Sequence, residues 1–382
     1  MTDRADLVVL GGGLAGLSLA MRLVQSGYRG RLRIIEPRER YVDDRSWSFW
    51  IPDGALPAVA VTRTWDDWVF SRDGGEAVVR QAQGWRYAYV RGSDFYRTAL
   101  GLVAASPEVT LMLGTRAGAM AELGDEVEIS TDAGPLRARH VVDTRPPPAS
   151  QRDGATLFQC FAGRELLLDA PGVDERRVEL MTDMRADAEG FVFTYVLPLT
   201  PTRVLVEATR LSRRPLPADR LWQDLDALLA RRGWSGAERL RAEAATLPMG
   251  LPAPAGPALP RGAVRAGTAA GALRAASGYG FLRIQAWADR CADAVMRGQP
   301  PVGHPAEPRL RGWMDGVFLR ALARHPARTP EFFMRLARAV PAAAFARFMS
   351  DQASWRDQLR MMAALPPGPF LRALPARAGL PA

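Results

Sequence analysis

The feature that most constrains this chain is a glycine-rich turn between a short apolar run and a segment with helical periodicity. Residues 6–10 are mostly apolar, which is typical of a buried parallel strand. Gly11, Gly13 and Gly16 follow as G-x-G-x-x-G. In such a motif the first glycine permits a tight turn, the second lets the backbone approach a pyrophosphate, and the third lets helix and strand pack closely. The helix N-terminus then offers free N–H groups to the phosphates.

The next predicted strand completes a nucleotide site. Residues 14–26 have helical spacing, and residues 32–36 form a second apolar strand that ends at Glu36. A carboxylate at this place accepts hydrogen bonds from ribose hydroxyls and disfavours a 2′-phosphate. Because strand, helix, strand and acid are in register, we predict a dinucleotide site. FAD is favoured over NAD, since the motif begins the chain and a sheet-like insert follows it.

The pattern along the chain divides it into four regions. Residues 1–150 form the predicted FAD-binding lobe, with a tryptophan-rich insert at 40–95. Strand-like segments separated by turn residues predict a substrate-binding antiparallel sheet and a helix at 151–260. Residues 261–300 return to the FAD lobe, and residues 301–382 are helical. The predicted fold class is α/β: a Rossmann-like FAD lobe, an antiparallel-sheet substrate lobe and a helical C-terminal part.

Composition restricts the partners. The net charge is +9 and the isoelectric point is near 10.4, although the chain contains no Lys. This balance favours anionic partners, but no RNP-type aromatic motif, zinc-ligand spacing or basic block indicates nucleic acid. An anionic membrane surface fits better, because arginines alternate with apolar residues in the C-terminal part.

Cysteine and histidine usage restricts the compartment and the chemistry. Cys160 and Cys291 lie far apart in sequence, which predicts no disulfide framework and suits a reducing cytoplasm. The histidines have no ligand spacing, so no metal site is expected. They are His140, His304 and His325. No signal-peptide pattern and no run of about eighteen apolar residues is visible, so we expect a cytoplasmic protein that is peripherally attached to the cytoplasmic membrane.

Further motifs follow the glycine-rich turn. They occupy residues 47–49 (Trp-Ser-Phe), 141–145 (Val-Val-Asp-Thr-Arg), 195–209, 267–281 and 365–371. Their order and spacing resemble the bacterial lycopene β-cyclase family, a branch of flavoproteins related to geranylgeranyl reductases and aromatic hydroxylases. The resemblance runs from about residue 5 to residue 372.

The resemblance implies cyclisation of the linear ψ-ends of lycopene to β-rings, giving γ-carotene and then β-carotene. A proton adds to the terminal double bond, a carbocation forms, the ring closes and a neighbouring proton leaves. The reaction is an isomerisation by an intramolecular lyase, with no net redox change. The family also implies reduced FAD as the active cofactor, NAD(P)H as its electron donor, and other carotenoid-pathway enzymes as partners.

Glu207 is the candidate catalytic residue. It follows Val204-Leu205-Val206 in a predicted strand, and the resemblance points to it as the acid or the base. A carboxyl group in apolar surroundings has a raised pKa and can donate a proton near neutral pH. From the residues alone, Glu207 could instead face solvent or pair with Arg203 or Arg210. The family commonly has an acid at the next position, where this chain has Ala208, so no adjacent carboxylate pair is expected.

The remaining candidates concern the cofactor and the cation. Gly267 and Gly271 belong to the late flavin segment of the resemblance. Asp143 and Arg145 close a predicted strand, where they either support the cofactor or form a local ion pair. Aromatic faces can stabilise a cation, although aromatic residues in such places can also be simple core. The aromatic candidates are Trp47, Phe49 and Tyr279.

The C-terminal helices have apolar faces flanked by arginines. Such faces either lie on a bilayer surface or pack on the protein's own core. The apolar residues concerned are Phe318, Leu319, Leu322, Phe332, Phe333, Leu336, Phe345 and Phe348. Two other functions are compatible with the sequence: a redox flavoenzyme (a monooxygenase or a prenyl reductase), and a carotenoid-binding protein that keeps the flavin fold without catalysis.

Overall fold

A computed structural model of the protein describes residues 3–55, 61–148, 152–251 and 256–374. Its strands are β1 (Asp3–Leu10), β2 (Leu32–Glu36), β3 (Ser46–Pro52), β4 (Arg63–Trp65), β5 (Asp67–Arg72), β6 (Ala77–Gln81), β7 (Trp85–Arg91), β8 (Val109–Leu113), β9 (Ala117–Leu123), β10 (Glu126–Thr131), β11 (Leu136–Asp143), β12 (Leu157–Leu167), β13 (Arg177–Asp187), β14 (Gly190–Pro198), β15 (Arg203–Ser212), β16 (Glu238–Met249) and β17 (Ala263–Arg265). Its α-helices are α1 (Leu14–Gln25), α2 (Gly92–Ala104), α3 (Ala218–Arg232), α4 (Phe281–Met296), α5 (Arg309–Arg324), α6 (Thr329–Ala339), α7 (Ala342–Met349), α8 (Trp355–Ala363) and α9 (Pro367–Arg372).

The first sheet is built around β1, which pairs in parallel with β2 on one side and β11 on the other. Strands β8 and β17 extend it in parallel, and β10 and β9 extend it in antiparallel fashion. Helices α1 and α4 pack together, and the side-chain amide of Gln285 donates a hydrogen bond to Ser18 Oγ at 2.8 Å. The predicted β-α-β unit is confirmed, and it brings the glycine-rich turn to the carboxyl edge of the sheet, where such folds bind nucleotides.

The second sheet has the order β16-β12-β15-β14-β13-β5-β6. Its pairings are antiparallel except for β13 with β5. The predicted antiparallel strands between residues 156 and 209 are confirmed. Side chains alternate along β15: Val204, Val206 and Ala208 pack against α3, while the intervening residues face the C-terminal helices.

Two parts of the sheets differ from the sequence prediction. The insert at 40–95 forms strands, and two of them, β5 and β6, join the second sheet rather than the first. Strands β3, β7 and β4 make a separate three-stranded sheet. Strand β16 (Glu238–Met249) lies in a segment that has no strand pattern in the sequence. Both differences matter for function, because β3, β7 and β16 all contribute to the cavity described below.

The C-terminal helices bury the apolar faces identified in the sequence. Leu319, Leu322, Phe332, Leu336 and Phe345 are all buried in the largest hydrophobic core, between the second sheet and the helices. Flanking arginines are engaged within the protein: Arg335 pairs with Glu331, Arg347 pairs with Asp357, and Arg320 donates to the backbone oxygen of Ala373. Of the two alternatives that the sequence leaves open for these faces, packing on the protein's own core is the one observed. Among the helices of the described ranges, none is long and apolar enough to cross a membrane.

Candidate active site

The glycine-rich turn has the geometry of a phosphate cradle. Gly11 has a φ of +98°, and a Cβ added to Gly16 would lie 2.0 Å from the carbonyl oxygen of Gly11. In contrast, a Cβ added to Gly13 would meet nothing within 4 Å. Gly13 is also the N-cap of α1 and makes no side-chain capping hydrogen bond. The first turn of the helix therefore faces open space, as binding of a pyrophosphate there requires.

Glu36 lies at the same edge, at the end of β2. Its Oε2 accepts a hydrogen bond from the backbone N–H of Gly12 at 2.7 Å, and its Oε1 accepts one from Arg38 Nε at 2.8 Å. Burial alone would raise the pKa of Glu36, but the hydrogen bonds and positive charge of Arg38 outweigh it and hold the pKa below its usual range. Glu36 is therefore an anion fixed beside the turn.

The late glycine segment meets this turn. A Cβ added to Gly267, whose φ is +71°, would lie 3.5 Å from Cβ of Ala15 in the first turn of α1. Gly271, with a φ of +84°, ends the short 3-10 helix Thr268–Ala270 that follows. The chain thus brings two glycine-containing segments, far apart in sequence, to one side of the part of the protein that contains the first sheet, called the nucleotide lobe below.

Asp143 and Arg145 close β11 near the turn. Arg145 donates to both carboxylate oxygens of Asp143, from Nε and Nη2, each at 2.9 Å. Arg145 Nη1 also donates to the backbone oxygens of Ala117 and Gly118 in β9. The two side chains thus form a local ion pair that ties β11 to β9. A role in holding the cofactor stays a prediction.

A cavity of about 620 Å³ lies between the second sheet and the C-terminal helices. Most of its lining is apolar, and some lining residues are exposed to solvent, so the cavity has an open end. The exposed apolar residues are Trp313, Met362, Leu371 and Leu374. The opposite lining contains the buried hydroxyl groups of three tyrosines and the carboxyl group of Glu207.

Glu207 does not form either of the ion pairs considered from the sequence. Arg203 pairs with Glu165, and the buried Arg210 pairs with Asp224 at 2.9 Å. The side chain of Glu207 faces the cavity instead, because it has the opposite strand parity to Val206 and Ala208.

The neighbour of Glu207 is a second carboxyl group, Glu243 on β16. In the strand register Gly163 of β12 lies opposite Glu207 on one side and opposite Glu243 on the other. The Glu207 side chain crosses Gly163 and hydrogen-bonds to Glu243. Burial raises the pKa of Glu207 well above its usual range, the negative charge of Glu243 raises it further, and Arg241 opposes the shift. Glu207 therefore holds its proton more tightly than an ordinary carboxyl group does.

Three tyrosines form a hydroxyl cluster in the cavity wall. The hydroxyl group of Tyr87 hydrogen-bonds to that of Tyr195 and, at 3.1 Å, to that of Tyr279. Burial raises the pKa of all three phenols well above their usual range, so they stay neutral. Trp50 is stacked near Tyr279 with ring centroids 5.8 Å apart. The wall therefore offers aromatic faces, and the cationic side chain of Arg274 in the lining is paired with Asp315.

The aromatic candidates have different positions. Tyr279 and Trp47 line the cavity. Phe49 does not: it is buried and stacks on Phe281 with ring centroids 4.6 Å apart, in a satellite core. Phe49 is therefore core, which is one of the two alternatives that the sequence leaves open. Along β3 it is Trp50 that lines the cavity and joins its main core, a consequence of strand alternation.

Comparison with known proteins places this fold and site in a family. The family model described as "Lycopene cyclase protein" matches residues 6–375. The chain belongs to the lycopene cyclase family. A lycopene beta-cyclase from Pantoea ananas is 27% identical over 399 residues, covering 98% of each chain. The nucleotide lobe, the second sheet and the helical part described above are thus those of a lycopene cyclase family member.

Solved structures agree on the fold. A geranylgeranyl bacteriochlorophyll reductase-like protein from Thermoplasma acidophilum has a TM-score of 0.62 at 12% identity, covering 97% of this chain and 99% of its own. CtdE, solved in complex with FAD and a substrate, has a TM-score of 0.56 at 12% identity, covering 94% of this chain and 99% of its own. The likeness to these proteins shows that this lycopene cyclase family member has a flavoprotein fold.

Sequence reasoning missed two residues of this family member's cavity region. Trp50 directly follows the Trp-Ser-Phe motif, and the alternation of a strand over 46–52 would have placed Ser46, Ser48 and Trp50 on one face. Glu243 had no such signal. It lies in a segment rich in Ala, Arg and Glu, which favours helix by propensity, and its partner Glu207 is 36 residues away in sequence.

Proposed function

We propose that this protein is a lycopene β-cyclase that converts the linear ψ-ends of lycopene to β-rings. The observation that carries the proposal is Glu207, a buried carboxyl group with a raised pKa in the wall of an apolar cavity. Protonation of an alkene needs an acid that keeps its proton at working pH, and a site without water to trap the cation. Family membership favours this reaction over the other chemistries that flavoprotein folds support.

The residues of this chain support each step. Glu207 gives its proton to the terminal double bond of a ψ-end, and the cation that forms is attacked by the nearby double bond as the ring closes. The faces of Trp50 and Tyr279 stabilise the positive charge. The carboxylate left on Glu207 then removes a proton from the carbon next to the cation. Atoms and electrons balance, and the enzyme returns to its starting state.

The cofactor proposal rests on the nucleotide lobe. Gly11, Gly13, Gly16 and Glu36 would hold the ADP half of FAD, and Gly267 would bring the late glycine segment to the same side. When bound and kept reduced by NAD(P)H, FAD would supply negative charge near the carbocation. The open space around Gly13 fits such a group.

The open end of the cavity suggests where the substrate enters. Its exposed apolar residues continue onto the neighbouring surface with Leu310 and Leu359. Exposed arginines occur in the same helices and are attracted to anionic lipid. They are Arg309, Arg356, Arg360 and Arg372. We propose that this apolar rim rests on the cytoplasmic membrane, so that a lipid-dissolved polyene reaches the cavity without crossing water.

Expression in cells that accumulate lycopene tests the function. The expected result is γ-carotene or β-carotene, identified by chromatography and mass, with Glu207→Gln as the inactive control. Anaerobic turnover without net NAD(P)H consumption would separate the cyclase from a monooxygenase or a prenyl reductase. Recovery of bound lycopene with unchanged ends from the purified, flavin-loaded protein would instead support a carotenoid-binding protein and contradict the proposal.

A further inference from the structure

Glu243 is held rigidly on the far side of Gly163 from Glu207. Ser46 Oγ donates a hydrogen bond to Glu243 Oε1 at 2.9 Å, and Arg241 donates to both oxygens at 3.1 and 3.2 Å. The residue is 6% exposed. The carboxylate therefore has a fixed position and orientation on the sheet face that carries Glu207.

Arg241 does not depend on Glu243 for its counter-charge. The guanidinium also lies 3.4 Å from the buried Glu165 and 3.7 Å from Asp43, and it donates to the hydroxyl group of Tyr89. A network of buried charges already exists without Glu243. A buried negative charge is costly unless it is paired, so a second carboxylate here needs a further explanation.

The position of Gly163, which has no side chain, explains why a second carboxylate is present. A Cβ at this position would lie 2.7 Å from Cγ of Glu207, inside the space that the Glu207 side chain occupies. Glycine is unfavourable in the middle of a strand. At this position it leaves the path open by which one carboxyl group reaches the other across the intervening strand β12.

We propose that Glu243 is a positioning residue that keeps Glu207 in its acid form between turnovers and makes the proton return to it after ring closure. The inference rests on the proposed function for its catalytic meaning. When Glu207 has given up its proton, two carboxylates stand side by side in a buried site. Their repulsion makes the Glu207 carboxylate a strong base, and it is relieved when the neighbouring C–H proton of the ring cation transfers to Glu207.

The groups that face Glu207 determine how it titrates. The charged groups are Glu243 and Arg241 from β16, and the titratable neutral groups are Tyr87 from β7, Tyr195 from β14 and Tyr279 from the segment before α4. Arg274, from the same segment as Tyr279, also lines the cavity and is paired with Asp315 of α5. Glu243 is therefore the only carboxylate among the described residues that acts directly on Glu207.

The test is an infrared titration of the protein at equilibrium, combined with a pH–rate profile. Wild type is expected to show a protonated carboxyl band at neutral pH that Glu207→Gln lacks. Glu243→Gln keeps the side-chain shape and removes the charge, so the Glu207 band should titrate lower, by about one to three pH units if a like charge acts as strongly as an opposite charge does. The alkaline limb of the cyclisation rate should move in the same direction.

A matched control is Glu179→Gln. Glu179 is an ion-paired carboxylate of the same sheet, 2.6 Å from Arg232, and it does not line the cavity. It should leave the Glu207 band where it is. An unshifted band in a folded Glu243→Gln protein, or no neutral-pH carboxyl band in wild type, would overturn the inference. The infrared result needs no turnover, so a shifted band without cyclisation would uphold the carboxyl pair and count against the proposed function alone.

Discussion

Gly163 and Glu207 are so close that the Cβ missing from the glycine would lie 2.7 Å from Cγ of the glutamate. Gly163→Ala should therefore displace the acid while leaving its chemistry intact. Misplacement of a reacting group by about 1 Å typically costs about 100-fold in rate, and we expect a loss of that order in β-carotene formed per flavin-loaded enzyme.

The control for this variant is Gly101→Ala in α2, where a Cβ meets nothing within 4 Å. It should keep full activity, and the free energy of unfolding should rise slightly, because alanine favours a helix over glycine by about 1 kcal/mol. Wild-type turnover by Gly163→Ala would show that the approach of the two carboxyl groups has no part in catalysis.

Substitutions of two glycines in the glycine-rich turn distinguish an effect on flavin binding from an effect on folding. Gly13→Val adds bulk to open space, so the protein should fold and purify without flavin. Gly16→Ala places a Cβ 2.0 Å from the backbone oxygen of Gly11, so the β-α-β unit itself should be destabilised. Flavin absorbance per protein and the melting temperature measure the two effects. Equal flavin content in Gly13→Val and wild type would exclude this cradle as the FAD site.

Strands β15 and β16 show which parts of the site can be predicted from the sequence and which cannot. Val204, Leu205 and Val206 are apolar and β-branched or bulky, so the strand and the place of Glu207 are predictable from local pattern. In β16 the buried side chains include Arg241 and Glu243, while Leu240 is exposed. The usual pattern is inverted, because the buried charges are satisfied only by partners from distant strands. The periodicity of the local sequence therefore does not predict that these charged side chains are buried.

The C-terminal helices show a second feature that the sequence alone does not determine, namely what their apolar faces contact. A helical pattern with arginines beside apolar residues looks the same whether the apolar face meets lipid or protein. Phe332 and Leu319 are buried here because the second sheet offers them an aromatic surface, contributed partly by the insert at 40–95. The residues that are in fact exposed around the cavity, such as Trp313 and Leu371, have no periodicity that marks them.

Membrane attachment should depend on those exposed residues. The double variant Trp313→Ser, Leu371→Ser should lose most co-sedimentation with anionic vesicles, because each side chain would otherwise bury apolar area in lipid. High salt should release wild type in part, since screening weakens the attraction of arginines to anionic headgroups. Leu123→Ser is a matched control, since Leu123 is similarly exposed but lies on β9 of the nucleotide lobe. Equal loss in the control would mean that the rim has no special role.

A further prediction concerns the acid itself. Glu207→Gln keeps the shape of the side chain and removes its proton-transfer function, so it should keep its fold and FAD but lose about 100- to 10,000-fold in cyclisation rate. Glu207→Asp keeps the carboxyl group one methylene further back and should be impaired less. The measurement is β-carotene formed in lycopene-containing vesicles under reducing conditions. Near wild-type turnover by Glu207→Gln would mean that the proton comes from another group.

The pH dependence of the free energy of unfolding provides an independent test of whether Glu207 is protonated in the folded protein. Burial and the charge of Glu243 raise the pKa of Glu207, so the folded protein binds this proton more tightly than the unfolded chain does. That contribution to the free energy of unfolding is complete below the pKa of the unfolded carboxyl group and is lost as pH rises through the raised pKa. Glu207→Gln cannot ionise, so its stability should fall less between acid and alkaline pH than that of wild type. Parallel stability curves for the two proteins would show that Glu207 is already ionised in the folded state, and an ionised Glu207 could not be the donor that starts the reaction.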